Sequence, residues 1–200
     1  MTDLLLGTTN AGKQREFRRL LAGLPGRIVT PQEIGLDLDV PEPHHSYEEN
    51  ATEKAVAWCR ASGLLTVADD SGIEAEALAW GPGVRSARFG DPSQGHAQRM
   101  LEALGDADER AARMVCVLAV AIPGDPGPAV ETFTGVMEGA IARERRGEGG
   151  FGYDPIFLLP QGITTAELPE GEKDRISHRG RAAAAAMPRL RELLASPEPG

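Results

Sequence analysis

The chain has 200 residues, 41% of them hydrophobic and 26% charged, which is typical of one soluble globular domain with a sizeable core. Its net charge of -9 argues against broad binding to nucleic acid or to anionic membranes. We find no apolar run that could span a bilayer and no signal-peptide pattern. Cys59 and Cys116 both lie among apolar residues, so we expect them to be free thiols. Together these features lead us to expect a cytoplasmic protein. Residues 196–200 are expected to form a disordered tail.

The first predicted strand, Asp3 to Thr8, leads through a polar loop into a helix with apolar residues at helical spacing. Thr9 or Asn10 can cap this helix, and Pro25-Gly26 is expected to stop it. Free N–H groups and the helix dipole attract anions at such a terminus, where Lys13 is unfavourable unless an anion is near. The loop therefore indicates either phosphate binding, which we favour, or an ordinary capped helix with a solvated lysine.

A second short strand, Arg27 to Thr30, precedes an irregular segment from Pro31 to Ser46. Within this segment Glu42 lies between two prolines, so its carboxylate is rigidly presented and is a candidate metal ligand. His44 and His45 follow, but they lack the ligand spacing of a transition-metal site, and we interpret them as surface-loop residues.

The clearest amphipathic helix is predicted from Ser46 to Ala61, with Ser46 as its N-cap and Glu49 completing a capping box. Lys54 falls on the inward face of this helix, and Asn50 lies one turn earlier on the same side. An inward lysine either extends its ammonium group to solvent or meets a buried anion. Both interpretations stay open at this point.

Two adjacent carboxylates, Asp69 and Asp70, follow a short apolar run. Thr66 to Ala68 is predicted to end a buried strand, and ligands of open α/β sheets bind where strands leave the sheet. Because neighbouring side chains point to opposite sides, we expect different roles: one carboxylate holds a hard cation such as Mg²⁺, and the other activates a water. The alternative is a simple polar turn.

The middle of the chain contributes a helix from Ala97 to Leu104 and an almost entirely apolar strand from Arg113 to Ile122. Val130 to Glu138 is predicted to pair antiparallel with that strand in a mixed sheet. Before them, Arg85 and Arg88 follow a glycine-rich turn, where they either hold phosphate or are solvated.

A glycine-rich stretch, residues 147–155, contains Phe151 and Tyr153. Glycines permit close approach to a ligand, and aromatic rings can stack on a base for about 1–3 kcal/mol each. The alternative is a hairpin whose aromatic residues pack in the core. Because aromatic residues are only 4% of the chain, we favour ligand binding.

The last predicted helix is alanine-rich, ends at Leu194 and has Ser177 as its N-cap. His178 and Arg179 crowd its positive end, and cations there cost about 0.3–1 kcal/mol each. A local rule broken in this way indicates a functional site. Their donor groups suit a carbonyl-bearing ligand edge, and Lys173 suits a phosphate.

Taken together, the motifs closely resemble the inosine triphosphate pyrophosphatase family, which comprises dITP/XTP/ITP diphosphatases. They occur in one order and extend from residue 8 to about residue 181: Thr8-Thr9-Asn10-Ala11-Gly12-Lys13, Glu49-Asn50 with Lys54, Ala68-Asp69-Asp70-Ser71-Gly72, Phe151-Gly152-Tyr153-Asp154-Pro155 and Ser177-His178-Arg179-Gly180. The resemblance implies an α/β fold with an elongated mixed sheet and flanking helices, and residues 1–195 forming one domain of two lobes around a central nucleotide cleft. It also implies a homodimer and Mg²⁺-dependent cleavage of purine nucleoside triphosphates to monophosphate and pyrophosphate.

The resemblance also implies roles for particular residues. Asp70 and Lys54 are expected in catalysis, and the implied metal ligands are Asp70, Glu42 and Asp69. The implied substrate-binding residues are Thr8, Thr9, Asn10, Ala11, Gly12, Lys13, Ser71, Phe151, Gly152, Tyr153, Asp154, Lys173, His178 and Arg179. Thr9 departs from the family, which commonly has glycine there. The rival hypotheses are a related pyrophosphatase with other nucleotide preferences and a regulatory module that binds nucleotide without cleaving it.

Overall fold

A computed structural model describes residues 3–89 and 95–195 of the chain, so the predicted tail lies outside the described residues. It contains seven strands: β1 (Asp3–Leu6), β2 (Arg27–Val29), β3 (Leu65–Ala75), β4 (Gly81–Pro82), β5 (Ala111–Ile122), β6 (Ala129–Ile141) and β7 (Phe157–Leu158). Its five α-helices are α1 (Ala11–Leu20), α2 (Tyr47–Ser62), α3 (His96–Leu104), α4 (Glu170–Ile176) and α5 (His178–Ala195).

The strands form one mixed sheet in the order β2-β1-β3-β5-β6-β7, and β4 pairs with the far end of β3. β1 is parallel to β2 and to β3, whereas β7 is antiparallel to β6. β5 and β6 are neighbours, and residues 123–128 are too few for a parallel crossover, so these two strands form the predicted hairpin. The predicted α/β class with a mixed sheet is confirmed.

The chain divides into two compact units, and the first comprises residues 3–70, 116–135 and 181–195. One face of its strands is covered by α1 and α5: Cys116, Leu118 and Val120 of β5 belong to that core. The alternate residues Val117 and Ala119 pack with α2 on the other face. β5 is therefore covered on both faces here, as its apolar sequence predicts.

The second unit comprises residues 71–89, 95–115 and 136–180 and has its own hydrophobic core. Met100 of α3 and Ile141 of β6 lie in this core with Ile156 and Phe157. Arg110 is nearly buried, and its guanidinium donates to the carbonyl oxygens of Ile141 and Ala142 at 2.7 and 2.9 Å. The arginine thus satisfies backbone groups where β6 ends.

The helix starts follow the predicted capping residues. Asn10 caps α1, and its Oδ1 accepts from Lys13 N at 3.1 Å. Ser46 caps α2 through Glu49 N, and Ser177 Oγ accepts from Gly180 N at the start of α5. The predicted stop of α1 at Pro25-Gly26 is wrong, because the helix already ends at Leu20.

Candidate active site

β3 carries the two adjacent carboxylates within the strand, not beyond its end. The strand continues from Leu65 to Ala75, so the prediction that it ends at Ala68 is wrong, and so is the polar-turn alternative. The predicted alternation holds, because Asp69 follows Val67 on the face with α1, and Asp70 follows Ala68 on the face with α2. Both carboxylates are buried, with 2% and 4% exposure.

Asp69 pairs with the lysine at the start of α1. Lys13 Nζ lies 2.9 Å from Asp69 Oδ2, and Cys116 Sγ is 3.9 Å from the same oxygen. A lysine in the first turn opposes the helix dipole, so a nearby anion must offset that cost. The protein itself supplies this anion, and Lys13 can therefore lie at the helix N-terminus before any ligand binds.

The loop before α1 places backbone and hydroxyl groups around that helix N-terminus. Thr9, Asn10 and Ala11 are exposed, whereas Thr8 and Gly12 are half-buried. Asn10 N donates to Thr8 Oγ1 at 3.3 Å, which folds the loop tightly. An exposed loop of this kind at a helix N-terminus has the geometry of an anion site.

Asp70 contacts two residues of α2. Its Oδ2 accepts from Asn50 Nδ2 at 3.0 Å, and its Oδ1 lies 3.8 Å from Lys54 Nζ. Burial raises the pKa of the Asp70 carboxyl, although Lys54 and Asn50 both favour its ionised form. Burial disfavours the charge of Lys54 as well, yet Asp69, Asp70 and Glu42 outweigh that effect and raise the pKa of this lysine.

Glu42 reaches the same lysine from the proline-flanked loop. Lys54 Nζ lies 2.5 Å from Glu42 Oε1, so Glu42 and Asp70 converge on one cation. Of the two alternatives for Lys54, the structure therefore favours the anion partner over extension to solvent. In the described parts of the chain, no group of three or more His, Cys, Asp or Glu side chains is arranged to hold a metal ion. Asp69 instead faces Lys13.

In the second unit, Phe151 lies against two predicted ligand-binding cations. Lys173 Nζ is 5.4 Å and the Arg179 guanidinium carbon 5.3 Å from the centroid of its ring, within the range of cation–π attraction. Arg179 Nη2 also donates to Ser71 Oγ at 3.0 Å. Four predicted substrate-binding residues of this unit therefore lie together.

Asp154 is a buried anchor of the glycine-rich loop. Its Oδ2 lies 2.6 Å from Lys173 Nζ and accepts from Phe151 N at 2.7 Å. A Cβ atom at Gly150 would lie 2.0 Å from that same oxygen, so the loop needs glycine there. Asp154 thus holds the loop and Lys173 together, and Gly152 lies nearby with a positive φ of 64°.

Tyr153 lies in the hydrophobic core of the second unit, which favours the core alternative for its ring. Its hydroxyl donates to Ser86 O at 2.8 Å, and burial raises its pKa. The neighbouring Phe151 is only half-buried, so the two aromatic residues have different environments. Sequence spacing alone could not separate them.

His178 and Arg179 open α5, and both are buried, with 6% and 4% exposure. Arg85 and Arg88 are exposed, which fits the solvated alternative.

Sequence reasoning missed Gln14, whose Nε2 donates to Thr8 O at 2.7 Å. No periodic signal marks such a polar contact.

Comparison with known proteins places the chain in a family. A model of the Ham1 family matches residues 4–189. Two relatives named dITP/XTP pyrophosphatase, from Chromobacterium violaceum and Anaeromyxobacter dehalogenans, are 46% and 42% identical, each alignment covering 96% of this chain and 98% of the relative.

Solved structures resemble the whole fold. A Ham1 protein from Coxiella burnetii matches with a TM-score of 0.84 and 38% identity over 96% of this chain and 100% of that one. A nucleoside-triphosphatase / dITP/XTP pyrophosphatase from Mycobacterium abscessus matches with a TM-score of 0.70 and 39% identity over 94% and 100%. These matches confirm the relationship that the motifs predict, and the chain belongs to the Ham1 family.

Proposed function

We propose that this protein is a nucleoside-triphosphate pyrophosphatase that cleaves dITP, ITP and XTP to the monophosphate and pyrophosphate, with Mg²⁺ as cofactor. Its relatives named dITP/XTP pyrophosphatase align over nearly the whole chain and support this substrate class. The observation that carries the proposal is the pair of buried carboxylates on β3, each facing a lysine. In this role the enzyme removes deaminated purines from the nucleotide pool, and it is expected to be a cytoplasmic homodimer.

Asp70 is the residue we assign to proton transfer. A general base works best when its pKa lies near the operating pH, and burial raises the pKa of Asp70 toward that range. Asn50 holds its Oδ2, so Oδ1 is the oxygen that can accept a proton from an attacking water. Lys54, beside Oδ1, stabilises the negative charge that develops on the phosphate oxygens.

The carboxylates around Lys54 suit a hard cation. Glu42 and Asp70 already converge on one positive charge, and carboxylate oxygens are the ligands that Mg²⁺ prefers. These two residues would hold Mg²⁺, with Asp69 as a further candidate. When bound, Mg²⁺ offsets phosphate charge and lowers the pKa of a water. Lys13 and the Thr8–Gly12 loop would bind the phosphates of the substrate.

We assign base recognition to Phe151, to Arg179 beside its ring and to His178, the neighbour of Arg179 in the chain. The half-buried ring of Phe151 can stack on a purine, and the donors of His178 and Arg179 suit the 6-keto oxygen of hypoxanthine and xanthine. Adenine presents an amino donor at that position, which would leave donor groups facing each other. Sites of this kind discriminate by about 10⁴-fold. Lys173 would approach the phosphates.

The test measures pyrophosphate and phosphate release from dITP, ITP, XTP, ATP and GTP, with Mg²⁺ and with chelator. We expect Mg²⁺-dependent pyrophosphate release from the three deaminated nucleotides and little from ATP. Turnover of ATP equal to that of dITP would overturn the base assignment but keep the phosphate chemistry. GTP does not test that assignment, because guanine also carries a 6-keto oxygen. Orthophosphate as the first product would overturn the proposed site of cleavage, which predicts pyrophosphate. If no phosphate or pyrophosphate is released from any nucleotide but dITP binds tightly, the chain is a binding module.

A further inference from the structure

Asn50 makes three hydrogen bonds with its side-chain amide. It lies in the first turn of α2 and is 1% exposed. Its Oδ1 accepts from His44 N at 3.1 Å, and its Nδ2 donates to His44 O at 3.3 Å and to Asp70 Oδ2 at 3.0 Å. One buried amide therefore contacts both the loop that carries Glu42 and the carboxylate on β3.

The donors and acceptors around this amide admit only one orientation. His44 N is a donor and must face the amide oxygen, and its carbonyl and the Asp70 carboxylate are acceptors that must face the NH₂ group. Aspartate has no donor to offer, and an apolar side chain would leave the backbone of His44 and one oxygen of Asp70 without these bonds. The position thus requires an amide of this length.

These contacts link the two carboxylates that share a cation. His44 is two residues after Glu42, and Glu42 and Asp70 both lie within 4 Å of Lys54 Nζ. Lys54 follows Asn50 by one helical turn, so α2 places the amide and the ammonium side by side. Fixing His44 and Asp70 on one amide also fixes how far apart Glu42 and Asp70 can be.

We propose that Asn50 is a positioning residue that sets the spacing of Glu42 and Asp70 around a divalent cation. The inference rests on the proposed metal-dependent reaction and adds a residue to it. Groups that orient metal ligands are typically worth 10–100-fold in metal affinity or activity. Asn50 therefore acts on the cation requirement of the site, through Asp70 and the loop, without touching the substrate.

A second contact between the same loop and helix provides a matched control. His44 Nε2 lies 2.6 Å from Glu53 Oε2, and both side chains are more than a third exposed. Glu53→Gln weakens this surface contact without changing any group at Asp70. If simple attachment of the loop to α2 mattered, this variant and Asn50→Ala would behave alike.

The experiment compares wild type, Asn50→Ala and Glu53→Gln in two measurements. The first is Mn²⁺ binding without nucleotide, by electron paramagnetic resonance at millimolar metal; the second is the Mg²⁺ concentration that gives half-maximal pyrophosphate release at saturating dITP. We expect Asn50→Ala to weaken both by at least about tenfold and Glu53→Gln to change neither. The KM for dITP at saturating Mg²⁺ should stay within about twofold. Alanine has the higher helix propensity, so α2 itself is not weakened.

Unchanged Mn²⁺ affinity and unchanged Mg²⁺ activation in folded Asn50→Ala would overturn the proposal, and so would an equal loss in Glu53→Gln. If Asn50→Ala does not fold, Asn50→Ser carries the same two tests. Wild type that binds no Mn²⁺ would remove the shared cation on which the inference depends. Wild type that binds Mn²⁺ but releases no pyrophosphate would overturn the proposed function alone, because the Mn²⁺ comparison still tests Asn50.

Discussion

Asp70 shows the conflict between stability and chemistry at a single residue. The fold places its carboxylate at 4% exposure, where burial raises its pKa above the ordinary value. The folded-state pKa is then above the unfolded one, so the stabilising contribution of this group is complete at low pH and is lost as pH rises through the folded pKa. Ionisation of this carboxylate as pH rises therefore costs the fold stability.

We predict that Asp70→Asn lowers kcat for dITP by about 10²–10⁴-fold, the usual contribution of a general base. The same variant should gain stability relative to wild type as pH rises through the folded-state pKa of Asp70, and this advantage should shrink as pH falls and wild-type Asp70 binds a proton. Urea unfolding across this pH range and steady-state kinetics check both parts. Turnover near the wild-type value would remove Asp70 from the catalytic role.

Asp3→Asn is the matched control. Asp3 forms an exposed ion pair with Arg27, and the hydrogen bond from that arginine lowers the pKa of Asp3. Its small stabilising contribution is therefore present above the unfolded pKa and is lost as pH falls, the opposite sign to Asp70. We expect unchanged turnover in this variant. An activity loss equal to that of Asp70→Asn would show that the assay reports general damage.

His178 is the residue at which base selectivity can be tested. We predict that His178→Ala lowers the ratio of kcat/KM for dITP over dATP by at least about tenfold. This is the usual contribution of one hydrogen bond to the base edge that carries the 6-keto oxygen. Ser177→Ala is the control, because this neighbour caps α5 through Gly180 N and should affect stability alone. An unchanged ratio in His178→Ala would contradict the base-reading assignment.

At the level of elements, periodicity predicted what lies inside a regular helix or strand. The inward face of Lys54 follows from helical spacing, and the two faces of β5 follow from its unbroken apolar run. The end of β3 was mispredicted because Asp-Asp-Ser-Gly has the composition of a turn, whereas β3 pairs with β1 before this segment and with β4 after it, which keeps the segment in the strand.

Long-range contacts explain the remaining errors. α4 is seven residues long, begins without a side-chain cap and is rich in charge, so no periodic pattern marks it. Tyr153 is in the core and Phe151 lies against Lys173 and Arg179, although both are aromatic residues of one glycine-rich loop. Packing decides between them, and packing is not visible in the sequence spacing.

The junction of α4 and α5 depends on a glycine. A Cβ atom at Gly180 would lie 1.8 Å from Asp174 O, a backbone atom that cannot yield easily. We predict that Gly180→Ala destabilises the fold by at least about 1–3 kcal/mol, the usual cost of overpacking. Urea unfolding measures this difference.

Gly171→Ala is the matched control within α4, because nothing lies within 4 Å of a Cβ atom there. Alanine is favoured over glycine in a helix interior by about 1 kcal/mol, so this variant should be neutral or slightly stabilising. Equal destabilisation by the two substitutions would mean that glycine content, and not the close approach of α4 to α5, controls the stability of the junction.

At the scale of the whole molecule, net charge and strand continuity have separate consequences. The chain carries a net charge of -9, and a nucleoside triphosphate carries about four negative charges, so the proposed binding would depend on local cations such as Lys13 and Lys54. No helix in residues 3–89 or 95–195 is long and apolar enough to cross a membrane. β3, β5 and β6 each contribute residues to both compact units.

Because three strands belong to both units, neither unit can unfold without breaking strands that the other uses. We therefore predict one cooperative thermal transition. For Asp70→Asn, which should bind dITP and cleave it slowly, ligand at 100 times Kd adds about 2.7 kcal/mol of stability and raises Tm by about 5–10 °C. Calorimetry with and without dITP and Mg²⁺ checks this, with dATP as the control ligand. Two separate transitions, only one of which shifts, would show that the units unfold independently and that dITP stabilises only one of them.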